Sequence, residues 1–301
     1  MADVPPFAVR LTQTYHRAPY PSISPARPEL LQTGRNVLVT GGSEGIGYEI
    51  AKAFLQASAS KVVIIGRRAK QLQLATTSLA QEVRDAESRI EARPCDMSDP
   101  AEADRLWNEL AARAMAIDVL ILNAAAVPDD QTVLERGTEA TWRDYNMNVR
   151  AQLHFAERFY KQTIPGYSKP KSLVHVSSLA IHNWHAAEAQ ATYGISKNAG
   201  ALVLQRIAQD VGAEDMQIVT FNPGPNLTRA AREKGYTENA FFWNHPTLAG
   251  QFAVWAASSE ARFLHGRFVW NEWDVDELKS GDIRKRIDED ESFLRIGVVG
   301  L

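Results

Sequence analysis

From about residue 36 onward, short β-branched runs alternate with longer stretches of helical periodicity. The strand-like runs are Val37–Thr40, Val62–Ile65, Ile90–Cys95, Val119–Leu122, Leu173–Val176, Ile218–Phe221 and Phe268–Trp270. Several are continuously apolar rather than alternating, the pattern of parallel strands covered on both faces. Between them the chain reads as amphipathic helix. Over Ile46–Ala57, for instance, Ile46, Ile50, Phe54 and Leu55 share one face. Alternation sustained this long predicts an α/β fold: a single doubly wound parallel sheet with right-handed crossovers and helices on both faces. Residues 1–35 are proline-rich and without periodicity, and read as an extended N-terminal arm. Residues 36–270 form the domain, and 271–301 a charged C-terminal extension. There Asn271–Glu277 is acidic and Lys279–Glu291 mixes both signs, which reads as a solvated helix and tail.

Composition narrows the function classes. The 301 residues are 45% hydrophobic and 23% charged, with a formal net charge of −3, so nothing points to nucleic acid or an anionic membrane as partner. Cys95 is the only cysteine, which excludes an intramolecular disulfide and suits a small buried apolar group. The seven histidines show no metal-ligand spacing, and no metal is expected. No run is long enough to cross a bilayer, and Met1–Pro28 holds no apolar segment of signal type. A cytoplasmic location is therefore expected, and Asn226-Leu227-Thr228 is not expected to be glycosylated.

Two segments carry chemistry. The first strand runs into Thr40-Gly41-Gly42-Ser43-Glu44-Gly45-Ile46-Gly47 and then directly into a helix. Glycines let backbone pass close to a pyrophosphate, and the helix N-terminus offers it free N–H groups and a positive dipole end. Tyr193-Gly194-Ile195-Ser196-Lys197 opens another helical stretch, with Tyr193 and Lys197 on one face a turn apart. A free tyrosine, with pKa about 10, is a poor proton donor near neutrality. A neighbouring ammonium favours its phenolate and brings it toward the working range.

With the spacing Thr-Gly-x-x-x-Gly-x-Gly, the chain resembles the short-chain dehydrogenase/reductase family, and the resemblance runs in order across residues 36–270. It implies a Rossmann-type fold that binds a nicotinamide dinucleotide. Gly41, Ser43, Glu44, Gly45, Ile46 and Gly47 match the phosphate loop, and Asp96, with Met97 beside it, the adenine contact. Asn123 and Ala124 belong to Asn123-Ala124-Ala125, where Ala125 stands in place of the usual glycine. Pro223 and Gly224, with Asn226 and Thr228 beyond them, match the turn that grips the nicotinamide carboxamide. The implied catalytic set is Asn148, Ser178, Tyr193 and Lys197, with Tyr193 and Lys197 also touching the cofactor. Tyr193 gives a proton, Ser178 holds the substrate oxygen, and Asn148 holds a water in a relay through Lys197. Ser178 lies 15 residues before Tyr193, longer than usual, so Leu179–Thr192 should bulge. Ser177 and Asn146 are near alternatives that fit the pattern less well.

At the end of the second strand, Gly66-Arg67-Arg68 stands where an NAD enzyme carries a carboxylate. Arg67 suits a 2′-phosphate, which favours NADP(H). Glu44 occupies a place where related NADP enzymes often carry a basic residue and would repel that phosphate, so NAD(H) stays possible.

The resemblance also implies a lid over Leu227–Pro246, which contains Tyr236, Phe241, Phe242 and Trp243. The loop after Ser178 adds Trp184 and His185, while His182 is expected to be solvated. With Trp184, His185 and Trp243 as substrate contacts, these aromatics suit a bulky apolar or polycyclic small-molecule substrate. Alternatively, Phe241–Trp243 pack into the domain's own core. The implied activity is carbonyl/alcohol interconversion. An isomerase, dehydratase or imine reductase would use the same scaffold, and a cofactor-binding redox regulator is a third reading. The arm, the Asn271–Leu278 stretch and the lack of a glycine-rich C-terminus resemble a fungal subgroup found in secondary metabolism. Helices over Asn148–Phe159 and Tyr193–Val211 resemble those the family uses for dimerisation, which implies a homodimer or homotetramer.

Overall fold

All seven apolar runs become strands of one parallel sheet in a computed structural model that describes residues 8–128, 130–167, 169–183 and 190–298. The strands are β1 (Asn36–Thr40), β2 (Lys61–Gly66), β3 (Ile90–Pro94), β4 (Val119–Leu122), β5 (Lys171–Val176), β6 (Met216–Asn222) and β7 (Arg267–Trp270). Their order across the sheet is β3-β2-β1-β4-β5-β6-β7. The register places Val37 between Val62 of β2 and Val119 of β4. The helices are α1 (Gly45–Gln56), α2 (Ala69–Glu82), α3 (Pro100–Ala112), α4 (Val133–Tyr145), α5 (Ala151–Lys161), α6 (Ala191–Asp210), α7 (Arg229–Glu233), α8 (Thr247–Ala256), α9 (Val275–Leu278) and α10 (Gly281–Glu289).

Period-two alternation along each strand divides the apolar side chains between two cores. Val37, Val39, Val62 and Ile64 pack with Phe54 of α1, Leu72 of α2 and Phe252 of α8. Leu38, Val63, Ile65 and Leu120 pack with Trp107 of α3, Phe155 of α5 and Leu204 of α6. A strand covered on both faces needs apolar residues at every position, which explains the continuous runs. Among the described residues no helix is long and apolar enough to cross a membrane.

The stretch after β7 departs from expectation, and the arm ahead of β1 is docked. Short 3₁₀ turns at Pro21–Ile23 and Pro28–Leu30 insert Ile23 and Leu30, both fully buried, into the core beside α8. Tyr15 bridges antiparallel to Trp273, and the Gln13 and Thr14 N–H groups donate to the Glu277 carboxylate at 2.7 and 2.9 Å. The Asn271–Leu278 stretch is therefore no solvated tail: Asn271, Glu272, Trp273, Val275 and Leu278 are buried. Its acidic residues serve locally, for Asp274 caps α9 by accepting from the Asp276 and Glu277 N–H groups. His182 is exposed, as expected, while one side of its ring packs edge-on against Phe268 and accepts from Trp270 Nε1 at 3.3 Å.

If the arm is an integral part of the core, Ile23→Ala and Leu30→Ala should each cost about 2–5 kcal/mol of folding stability. Chemical denaturation measures this, and midpoints unchanged from wild type would show an arm that merely rests on the surface.

Candidate functional site

The sheet winds from β1 outward to β3, returns to the centre and winds from β4 to β7, so the connections leaving β1 and β4 diverge. A crevice opens at the carboxyl ends of these strands, the place where such folds bind ligands. Here it is a cleft of about 540 Å³. Its base is cross-linked by Thr40, whose Oγ1 donates to Ile121 O and accepts from the Asn123 and Ala124 N–H groups at 2.9 and 3.0 Å. Asn123 Nδ2 in turn donates to Thr40 O at 3.0 Å. These bonds hold the end of β1 against the loop after β4.

Gly41, Ser43, Glu44, Gly45 and Ile46 line the cleft between β1 and the N-terminus of α1. Gly47 packs beneath them, and a Cβ there would lie 2.2 Å from Gly41 O, so only glycine lets α1 start this close to the strand. Asp96 and Met97 line the far end beyond β3, where Asp96 Oδ1 accepts from the Ser98 N–H and hydroxyl. Cys95 is buried with its thiol pushed up to about 12, chiefly by burial, and is no nucleophile. Glu44 does not present a bare charge. Arg68 Nη2 donates to it at 2.5 Å, and Arg229 Nε lies 2.8 Å away. Arg67, on the same rim, pairs with no acid among the described residues.

Tyr193 and Lys197 project from the first turns of α6 into the cleft. Burial raises the Tyr193 phenol, and a hydrogen bond with the Ser178 side chain lowers it in part. Ser178 stands at the start of a 3₁₀ turn, Leu179–Ile181, and its Oγ also accepts from the Ala180 N–H at 3.2 Å. Ser177 is buried at the cleft wall, with a hydroxyl that has no hydrogen-bond partner among the described residues.

Lys197 has two further neighbours on β5. Its side chain donates to Val176 O at 2.7 Å and meets His175 Nε2 at 3.3 Å. Burial without a carboxylate pushes it down to about 7. His175 is fully buried on β5, and burial together with the Lys197 charge holds its imidazole neutral, well below the usual range. A histidine in an otherwise apolar strand was the available signal for this neighbour, and the sequence reading passed over it.

Asn148 lies in a π-helical turn, Asn146–Arg150, between α4 and α5, and is fully buried. Its carboxamide accepts from the Ala126 N–H at 2.8 Å and donates to Ala126 O and to Ser196 Oγ at 3.0 and 2.9 Å. It thus ties the loop after β4 to the residue preceding Lys197. Asn146 instead donates to Ser98 O. A second support was missed: Arg136 holds buried Asp144 through two bonds of 2.8 and 2.9 Å, and Asp144 accepts from Thr192 Oγ1 at 3.0 Å. This fixes the start of α6 next to Tyr193.

Pro223 and Thr228 line the cleft, and α7 forms its wall, capped by Thr228. Asn226 Nδ2 donates to Pro223 O and Gly224 O at 2.8 and 3.0 Å, which closes the turn. Lys234, just past α7, donates to Pro128 O at 3.1 Å and so spans to the loop after β4. Trp243 is not brought to the cleft wall. It packs with Tyr236 and Phe241 in a cluster within the lid segment, and its indole donates to Thr237 O. Phe241 and Phe242 are exposed rather than in the core. Trp184 and His185 lie outside the described residues. Among the described residues no group of three or more His, Cys, Asp or Glu side chains could hold a metal.

Comparison with known proteins agrees with this geometry. The family model described as short chain dehydrogenase matches residues 35–239. The short chain dehydrogenase/reductase AacuD of Aspergillus aculeatus is 33% identical over 291 residues, covering 97% of each chain. A short chain dehydrogenase/reductase of Claviceps purpurea is 35% identical over 293 residues, covering 96% of this chain and 94% of the relative. Among solved structures, the Pseudomonas aeruginosa RhlG/NADP active-site complex superposes with a TM-score of 0.72 at 23% identity, covering 81% of this chain and 97% of that one. A 7α-hydroxysteroid dehydrogenase complexed with NADH and 7-oxo glycochenodeoxycholic acid superposes at 0.69 with 20% identity, covering 83% and 96%. At these identities the structures share the fold.

The buried ammonium has a measurable signature. In the unfolded chain lysine titrates at about 10.4, whereas folded Lys197 titrates at about 7. Between those values the unfolded state binds more protons, so wild-type stability rises with pH across that window. Lys197→Met lacks the titrating group. The stability of Lys197→Met minus that of wild type should be largest at about pH 6 and shrink steadily toward about pH 10. A difference constant across this range, in thermal melts, would place the ammonium in water.

Proposed function

The chain belongs to the short chain dehydrogenase family, whose members act on carbonyl and alcohol groups, and on that premise we propose that it interconverts the two on a bulky apolar or polycyclic substrate with NADP(H). The observation that carries the reading is the Tyr193 phenol, which lines the cleft and is hydrogen-bonded to the Ser178 side chain, with Lys197 one helical turn along. The cleft suits a dinucleotide: a glycine cradle that a Cβ would fill, a helix N-terminus for phosphates, and a guanidinium at Arg67 with no acid partner among the described residues. Gly41, Ser43, Glu44, Gly45, Ile46 and Gly47 hold the pyrophosphate side, Asp96 and Met97 the adenine, and Asn123 and Ala124 the stretch between. Pro223, Gly224, Asn226 and Thr228 hold the nicotinamide end. Arg67 reads the 2′-phosphate; Glu44, its charge met by Arg68 and Arg229, repels that phosphate less than a bare carboxylate would.

The bound nicotinamide supplies the hydride. Tyr193 gives its phenolic proton to the oxygen of the reacting carbonyl, and Ser178 holds that oxygen and aims the phenol. In this way the carbonyl carbon gains hydride, its oxygen gains the proton, and an alcohol results. Lys197 stabilises the phenolate left behind once its ammonium gives up His175 for the Tyr193 side. Asn148 keeps the loop after β4 and α6 in place around that proton path. On closing over the cleft, the lid would bring its exposed aromatics Tyr236, Phe241 and Phe242, with Trp243, into flat apolar contact with a large substrate. The resemblance in fold to a dehydrogenase holding a bile-acid ligand is consistent with that size. Exposed Leu153 and Tyr160 on α5 and Leu202 on α6 suit burial in a homodimer or homotetramer.

The reading is tested by kcat/KM for small polar, linear acyl and polycyclic ketones with NADPH and NADH, in wild type and Arg67→Asp. The polycyclic ketone with NADPH should be best. Arg67→Asp should lower the NADPH value by about tenfold or more and leave NADH nearly unchanged. Equal losses for both cofactors, or a small polar ketone as best substrate, would contradict it.

A further inference from the structure

Glu272, two residues after β7, is fully buried. A carboxyl at that depth ordinarily has a basic partner. This one has an amide: Asn244 Nδ2 donates to Oε1 at 2.9 Å. Burial pushes the group up to about 7. The Tyr15 hydroxyl faces it from the arm, with the Arg17 charge nearby, while the His16–Asp274 pair lies alongside in sequence.

The carboxyl packs directly on the Pro223–Gly224 turn. A Cβ on Gly224, whose φ is +65°, would lie 1.8 Å from Glu272 Oε1 and 2.2 Å from Asn244 Nδ2. Turn and carboxyl therefore fix each other's position. Asn271 adds a bond from Nδ2 to Pro223 O at 3.0 Å. On the other side, Glu272 O accepts from the His16 N–H at 2.7 Å. Next along the arm, Arg17 Nη2 donates to Trp243 O at 2.8 Å and Arg17 O accepts from the His245 N–H at 2.7 Å. Arm, turn and lid end, far apart in sequence, meet at this carboxyl.

We propose that Glu272 is a positioning residue for the nicotinamide end of the cofactor site, clamping the Pro223–Gly224 turn between the base of the lid and the N-terminal arm. The proposal rests on the reading of that turn as the nicotinamide contact. A turn held in its binding conformation loses little freedom when the ligand arrives, and that preorganisation appears as affinity. The adenine and phosphate end is lined instead by residues of β1, α1 and the loops after β2 and β3.

Calorimetric titration with NADP⁺ and with 2′-phospho-ADP-ribose, which lacks only the nicotinamide, separates the two ends. Glu272→Ala should weaken NADP⁺ by about tenfold or more while 2′-phospho-ADP-ribose stays within about twofold of wild type. Glu272→Gln keeps the acceptor for Asn244 and can donate to Tyr15, so it should restore NADP⁺ binding to within about threefold. Should Glu272→Ala fail to fold, Asn244→Ala removes the same contact from the lid side and must give the same split. Wild-type affinity of the alanine variant for both probes, or an equal loss of both, would overturn the clamp. A wild-type protein that binds neither probe would overturn the cofactor reading itself.

Discussion

Parallel strands all end at one edge, and a sheet that winds outward from β1 and again from β4 must leave a gap there. Thr40 and Asn123 close the floor of that gap by exchanging side-chain and backbone bonds across the two strand ends. Each wall of the site is then a consequence of chain direction. The glycine loop leaves β1, the Ala126 loop leaves β4, Ser178 follows β5 and the Pro223–Gly224 turn follows β6. Residues far apart in sequence converge because their strands stop at the same level.

The interior of that gap is chemically expensive. Lys197 is buried with a carbonyl and a neutral imidazole for company, and among the described residues no acid offsets its charge. Tyr193 is likewise pushed toward its neutral form by burial, with Ser178 as its hydrogen-bond partner. Two well-satisfied networks carry these groups: Arg136–Asp144–Thr192 at the start of α6, and Asn148 with Ala126 and Ser196 beside Lys197. A poised lysine with its pKa near neutrality is what proton transfer at physiological pH calls for. The same burial that destabilises the fold locally thereby tunes the chemistry.

What the sequence revealed and what it concealed follow from the range of the interactions. Strands covered on both faces must be apolar throughout, so β1 to β7 were legible from local runs. The cofactor loop was legible because close backbone approach restricts Gly47 to one residue type. The arm was not, since prolines suppress periodicity and many of its contacts are with residues more than 220 positions away. The acidic stretch after β7 looked solvated because acids usually are. In fact Asp274 caps a short helix, Glu277 receives the arm's N–H groups, and Glu272 is sealed beneath the Gly224 turn. The direction of the Lys197 side chain is a rotamer, set by Val176 O and His175, and a Tyr-x-x-x-Lys spacing does not specify it.

The central claim is that Tyr193 supplies the proton that accompanies hydride transfer. The most direct measurement is single-turnover oxidation of NADPH with a reducible ketone in wild type and Tyr193→Phe, alongside cofactor affinity for both. Phenylalanine removes the acid and almost no volume, so turnover should fall by about a hundredfold or more while cofactor affinity stays within about threefold. A Tyr193→Phe protein that turns over at close to the wild-type rate would contradict the account.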